Sequence, residues 1–274
     1  MPDAPDDPLR PTDDGSATLW SDAARQTYHS GRGALTEARH VFLAGSGVAD
    51  RLAAVDPPAA GGDDGRAPAL TVLEVGLGTG LNLLLTLDAH AAADRPPPLV
   101  YRALELAPPD PATVDRLGYG AHLRAASPAP WRAALADLHA RDVPAGPATR
   151  HAFDLAPDVR LEVALGPATG AGGGPHGAAA ALLAPGSLDA IYHDAFSPDA
   201  TPALWSDAFL TACAHALRPG GRWVSYTVAG AVRRRLAAAG LDVRKAPGPP
   251  GGKREMTVAT KPTPEGTPLG GGRT

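Results

Sequence analysis

The chain has 274 residues, a formal net charge of −4 and one cysteine, Cys213. That length suits a single α/β domain with an appendage. It excludes an internal disulfide, and the acidic balance argues against a generic nucleic-acid coat protein. No apolar stretch reaches membrane-spanning length, and the acidic, Pro-rich start from Met1 to Asp14 is unlike a signal peptide, so a reducing cytoplasm is the expected location.

Residues 1–17 are rich in Pro and Asp, and a disordered tail is expected there. Residues 18–69 form an N-terminal extension and linker. In it, Tyr28 and Ser30 flank His29 in a short extended piece, and Thr36 to Leu43 carries a helical apolar stripe. Pro57 to Ala69 reads as the linker.

The next stretch organises the chain. The apolar run of Leu70, Val72, Leu73 and Val75 stops at Gly76, Gly78 and Gly80, and a helical pattern begins at Leu81. This spacing predicts strand, tight turn and helix, with bare main chain against which a ligand can lie. In a dinucleotide fingerprint the third glycine follows the second by three residues. Here it follows by two, and Glu74 precedes the loop. That form points to S-adenosylmethionine, with Glu74, Gly76, Gly78, Gly80 and Asn82 as candidate cofactor residues. A structural βα turn is the bland alternative.

Leu99 to Leu106 is a second strand with Glu105 at its C-terminal end. A carboxylate there is placed to take the ribose hydroxyls of a bound nucleoside. Pro108 to Val143 reads as helical, Arg160 to Leu165 as a third strand, and Gly166 to Gly177 as a loose loop. A short helix follows over Ala179 to Leu183. Leu188 to Asp194 is a fourth strand, and Thr201-Pro202 starts a helix with Thr201 as its N-cap. Arg218 to Gly221 is a turn, Arg222 to Val228 a fifth strand, Ala231 to Ala239 a helix, and Leu241–Ala246 with Glu255–Thr260 a closing pair of strands. Strands alternating with helices imply a mostly parallel sheet over 70–260, with residues 261–274 expected to be a disordered tail.

These blocks resemble a known family. Tyr28-x-Ser30 followed by Leu35 to Leu43, the glycine loop, Asp194-Ala195-Phe196-Ser197-Pro198 with Pro202-x-Leu204-Trp205, Arg218 to Gly221, and Ala229 to Leu236 with Lys253 to Met256 occur in the order seen in the methyltransferase part of the bifunctional tRNA wobble-uridine enzymes MnmC, and in the stand-alone form MnmD. The resemblance runs from Tyr28 to Thr260. It implies a seven-stranded, Rossmann-like class I S-adenosylmethionine-dependent methyltransferase sheet with an N-terminal extension. It further implies methyl transfer to 5-aminomethyl-(2-thio)uridine at the tRNA wobble position. The FAD-dependent domain of the bifunctional form is expected to be absent. The family often has Gly-Asp after the third strand where this chain has Gly166-Pro167.

An aliphatic ammonium has a reference pKa near ~10 and must lose a proton before attacking a methyl group. Asp194, at a strand end on the ligand edge, is the candidate catalytic base. Phe196 and Pro198 are candidate walls for the amine, and Tyr28 joins the cofactor set. Arg233, Arg234, Lys253 and Arg254 are candidate contacts to a tRNA anticodon stem-loop, with solvated surface charge as the alternative. No metal is required, and a monomer is expected. Two other classes fit parts of the pattern: a small-molecule methyltransferase or aminopropyltransferase, and a non-catalytic S-adenosylmethionine- or RNA-binding protein.

Overall fold

The computed structural model describes residues 7–54 and 67–264. Most of the expected linker, and the tail from residue 265, lie outside the described residues. Eleven strands and eight α-helices are present among them. The strands are β1 (Leu9–Pro11), β2 (Ala17–Ser21), β3 (Gln26–Thr27), β4 (Leu70–Val75), β5 (Leu99–Glu105), β6 (Thr149–Ala156), β7 (Val159–Leu165), β8 (Leu188–His193), β9 (Leu217–Ser225), β10 (Asp242–Pro247) and β11 (Glu255–Thr260). The helices are α1 (Ala34–Glu37), α2 (Val48–Ala53), α3 (Leu81–Ala92), α4 (Pro111–Asp115), α5 (Ala129–His139), α6 (Gly177–Leu182), α7 (Asp207–Ala216) and α8 (Gly230–Ala238).

The main sheet has eight strands, in the order β10-β11-β9-β8-β4-β5-β7-β6. The expectation of seven falls one short because of β6, an antiparallel edge strand paired with β7. Of its residues only Leu155 is buried, so the sequence there carries almost no apolar alternation. At the centre, β4 runs parallel to β5 on one side and β8 on the other. Both neighbours are reached by crossovers from opposite directions, which makes the C-terminal end of β4 a topological switch point. Every residue of β4 and β8 is buried, as expected for strands covered on both faces.

Three local expectations are corrected. Residues 9–11 and 17–21, placed in or beside the expected disordered tail, pair as β1 and β2 in a small three-stranded sheet with β3. The helix expected from Thr201 is a 3₁₀ turn over Pro202–Trp205. Thr201 caps nothing there; its hydroxyl donates to the Phe196 carbonyl. The α-helix proper, α7, is capped by Ser206, whose Oγ accepts from the Phe209 amide. The Arg218–Gly221 turn is an irregularity inside β9: two residues of β8, Leu188 and Ala190, face Leu217 and Arg222.

Helix α1 continues into a π-helical turn over Ala38–Ala44, which buries Val41 and Phe42. Phe42 and Val41 join Leu83, Tyr101 and Tyr192 in one hydrophobic core, and a second core on the other face of the sheet holds Trp205, Phe209 and Trp223. Among the described residues no helix is long and apolar enough to cross a membrane.

Candidate functional site

Register alone gathers the key residues. Val75 of β4 pairs with Leu104 of β5 and with His193 of β8. One residue further along each strand stand Gly76, Glu105 and Asp194, level with one another at the ligand edge of the sheet. The glycine loop then turns into α3. Gly78 has φ +50°, and a Cβ there would lie 2.9 Å from the Tyr28 ring, so the N-terminal extension packs directly on the bare loop. Gly80 has φ +77° and is covered by the Trp131 ring so closely that a Cβ would collide with it.

Glu105 is anchored by main chain. The Gly78 amide donates to its Oε2 at 2.7 Å, and the Ala107 amide to its Oε1 at 2.8 Å. Each oxygen keeps a lone pair for a further donor. Burial pushes its pKa up, and amide donors, Gly78 foremost, pull it back. Gly166 donates its amide to the Glu105 carbonyl at 2.8 Å.

Beneath the loop lies a chain of buried acids. Asn82 Nδ2 donates to Glu74 Oε1 and to Asp194 Oδ2, both at 2.7 Å. Tyr101 donates to the other Glu74 oxygen at 2.8 Å. Burial raises the Glu74 pKa to about 8 and drives that of Asp194 well above the carboxylate range; for Asp194 the neighbouring Glu37 and Glu74 add to the effect. His29 Nδ1 stands 3.9 Å from Asp194, and its Nε2 is 3.2 Å from the Thr79 hydroxyl. Burial lowers the His29 pKa to about 4, so the ring is neutral at pH 7.

The structure brings the candidate cofactor residues together. Glu74, Gly76, Gly78, Gly80, Asn82 and Glu105 converge on one edge, and Tyr28 lies over the loop. Asn82 Oδ1 is buried without a partner among the described residues, an acceptor open to an incoming donor such as an amino group. The acidic lining suits a cationic ligand. S-adenosylmethionine carries a sulfonium and an ammonium, and this donor set fits it.

Next to Asp194 is a cavity of about 170 Å³ lined by Tyr28, His29, Glu37, Phe196, Tyr226 and Lys253, among others. Tyr28 and Phe196 meet edge to face, ring centroids 5.1 Å apart. The wall is held in place from two sides. Gln26 exchanges two hydrogen bonds with Ser197, and Tyr226 donates to the Ala195 carbonyl at 2.9 Å. Pro198 is half-buried and is not among the residues lining the cavity. His193 points the other way, packed against Trp205 and Trp223 with its pKa lowered by burial to about 3.

The basic residues divide. Arg233 is committed to the fold: it donates to Thr257 Oγ1 at 3.0 Å and to Glu255 at 3.3 Å, with its side chain only 14% exposed. That removes it from the free phosphate contacts. Arg234, Lys253 and Arg254 are exposed. Sequence reading missed Glu37, Tyr226 and His29 as site residues. Glu37 had a signal: a single acid inside the apolar stripe from Leu35 to Phe42.

Comparison with known proteins agrees with this geometry. Residues 132–262 match the family model described as S-adenosyl-L-methionine-dependent methyltransferase. The bifunctional tRNA 5-methylaminomethyl-2-thiouridine biosynthesis protein MnmC of Ralstonia nicotianae is 37% identical over 86% of this chain and 32% of its own length. That of Cupriavidus metallidurans is 34% identical over 92% and 34%. The chain thus spans about a third of the length of these curated relatives. The crystal structure of MnmC2 from Aquifex aeolicus superposes with a TM-score of 0.64, at 24% identity, covering 96% of this chain and 74% of that one. This last likeness concerns the fold.

Proposed function

Taking as premise that the chain corresponds to the methyltransferase part of MnmC, we propose that it methylates the primary amine of 5-aminomethyl-(2-thio)uridine at the tRNA wobble position, giving 5-methylaminomethyluridine. When bound, S-adenosylmethionine supplies the electrophilic methyl group. The observation that carries the reading is Asp194: a buried carboxylate level with the glycine loop, whose chain neighbours Ala195 and Phe196 line an aromatic-walled cavity.

The protein's own part is charge, alignment and dryness. Asn82 fixes one oxygen of Asp194. Burial and the neighbouring acids raise its pKa, which makes the carboxylate a stronger proton acceptor for the acceptor ammonium than an ordinary one. Phe196 and Tyr28 exclude water around the amine. The Glu105 carboxylate, aimed by two amides, is placed for ribose hydroxyls. Arg234, Lys253 and Arg254 present positive charge on the surface for the tRNA backbone. A tRNA substrate places the protein in the cytoplasm, and a monomer suffices for every role named.

The experiment is direct. The purified chain is incubated with labelled S-adenosylmethionine and tRNA from cells lacking the modification, and nucleosides are analysed. Appearance of 5-methylaminomethyluridine supports the reading. Label only in a small-molecule amine, or cofactor binding without transfer, overturns it.

A further inference from the structure

We propose that Glu37 is a second acceptor-side carboxylate and that it and Asp194 together bind the acceptor as its ammonium; this rests on the methyl-transfer reading above. Glu37 closes helix α1, is 8% exposed, and lines the same cavity as Phe196 and Tyr226. One of its oxygens accepts from the Ser30 amide at 3.0 Å, and that is the only hydrogen bond its carboxylate makes among the described residues. Its burial is expensive for a carboxylate with so little compensation.

Elsewhere in this chain buried acids have arginines. Glu162 has Arg102 and Arg150, at 3.3 and 2.6 Å. Glu37, Glu74 and Asp194 have none within ion-pair distance among the described residues. The nearest imidazole, His29, is neutral at pH 7. Among the described residues the cation at the cavity wall is Lys253, and no arginine is added to it for Glu37, Glu74 and Asp194.

The cavity wall already holds one cation against a ring. Lys253 Nζ lies 4.6 Å from the centroid of the Tyr226 ring, a cation–π contact at the cavity wall, and its charge offsets that of Glu37. Three aromatic rings, Tyr28, Phe196 and Tyr226, line the space. Its volume of about 170 Å³ lies below the ~300–1,000 Å³ of sites for whole small molecules. An aminomethyl group fits. The groups facing Glu37 are thus Asp194, with Glu74 behind it, Lys253, Tyr226 and His29.

Binding in the ammonium form, followed by proton transfer, divides the labour. Glu37 retains the charge and sets the amine over Asp194, which takes the proton. Glu37→Gln preserves an oxygen for the Ser30 amide and removes only the charge. At pH 7 we expect kcat/KM for tRNA carrying 5-aminomethyluridine to fall ~10–100-fold, mostly through KM. The deficit should narrow toward pH 9.5, where the amine is increasingly neutral. Affinity for S-adenosylmethionine should stay within about twofold, and Glu37→Asp should recover part of the loss. With unmodified protein, ethylammonium chloride should compete with the tRNA where sodium chloride at equal ionic strength does not.

Wild-type kinetics and pH profile in Glu37→Gln, or a lowered melting temperature with no change in KM, would show that Glu37 merely braces Ser30. Should Glu37→Gln fail to fold, absence of ethylammonium competition in the wild type would overturn the inference. A wild-type protein that transfers no methyl to this tRNA would instead defeat the underlying functional reading.

Discussion

Strand β8 carries an aspartate near each end, and the two are treated in opposite ways. Asp189, at the start, is clamped by Arg51 at 2.7 Å and Arg218 at 2.9 Å and accepts the Thr71 amide at 2.7 Å. Asp194, just past the other end, has an asparagine, a neutral histidine at 3.9 Å and two further acids nearby. Both side chains are 5% exposed, so burial does not distinguish them. What differs is the source of the compensating charge. The first acid receives it from the chain and braces β8 against α2 and β9. The second is left for charge that arrives with ligands.

The largest effect that tests this contrast is on the chemical step. Asp194→Asn keeps the shape and removes the proton acceptor. General-base assistance is typically worth ~10²–10⁴ in rate, and kcat should drop by that factor with cofactor affinity nearly unchanged. The deficit should shrink at high pH. A mutant with wild-type turnover at pH 7, measured by single-turnover transfer, would place the acceptor elsewhere. Gly78→Val comes next. Its Cβ strikes Tyr28 and its φ is positive, so the loop and the extension cannot keep their contact. Calorimetric affinity for S-adenosylmethionine should fall at least ~10²-fold, about 2.7 kcal/mol.

This ordering also marks what was legible. Glu74, the glycines, Glu105 and Asp194 sit at fixed offsets from strand ends, and strand ends can be read from apolar runs. Register then makes them neighbours without further information. Glu37 and Tyr226 reach the site from the N-terminal extension and from beyond β9, and only tertiary packing brings them together. Arg233 looked like its neighbours Arg234 and Arg235 in sequence; its pairing with Glu255 and Thr257 depends on α8 lying over β11. Strand β6 was illegible because an exposed edge needs no apolar alternation.

Asp189→Asn should act on stability alone. Arg51 and Arg218 are 45% and 39% exposed and can be rehydrated, so the loss is about 1–3 kcal/mol, with kinetic constants at saturating cofactor unchanged. The acids without an arginine predict a dependence of stability on pH. Glu74 has its pKa raised from 4.5 to about 8 by burial. A carboxyl raised on folding binds more protons in the native state. Its contribution is fully present below pH ~4.5 and is lost as pH rises through about 8. The ligand-free melting temperature should therefore fall between pH 5 and pH 8. Glu74→Gln should flatten that slope, and Asp189→Asn should leave it intact. A ligand-free protein whose stability rises across this window would contradict the idea that these acids lack compensation.

The smallest effects belong to the surface, where the same distinction recurs among cations. Arg233 is spent on Glu255, as Arg51 is on Asp189, so Arg233→Gln should lower stability by about 1 kcal/mol and leave tRNA binding alone. Arg234 and Arg254 are exposed and make no ion pair among the described residues. Each phosphate contact releases about 0.7–0.9 of a counterion, so neutralising both should reduce the slope of log KM for tRNA against log salt by about 1.4–1.8. At low salt KM should rise several-fold, and the difference should fade at high salt as screening overtakes it. Affinity for S-adenosylmethionine and kcat should not move, because neither side chain lines the cavity. An unchanged salt slope in the double variant would make Arg234 and Arg254 plain solvated charge. It would also shift the search for the tRNA footprint to the remaining exposed cations of the β10–β11 hairpin, Arg244, Lys245 and Lys253.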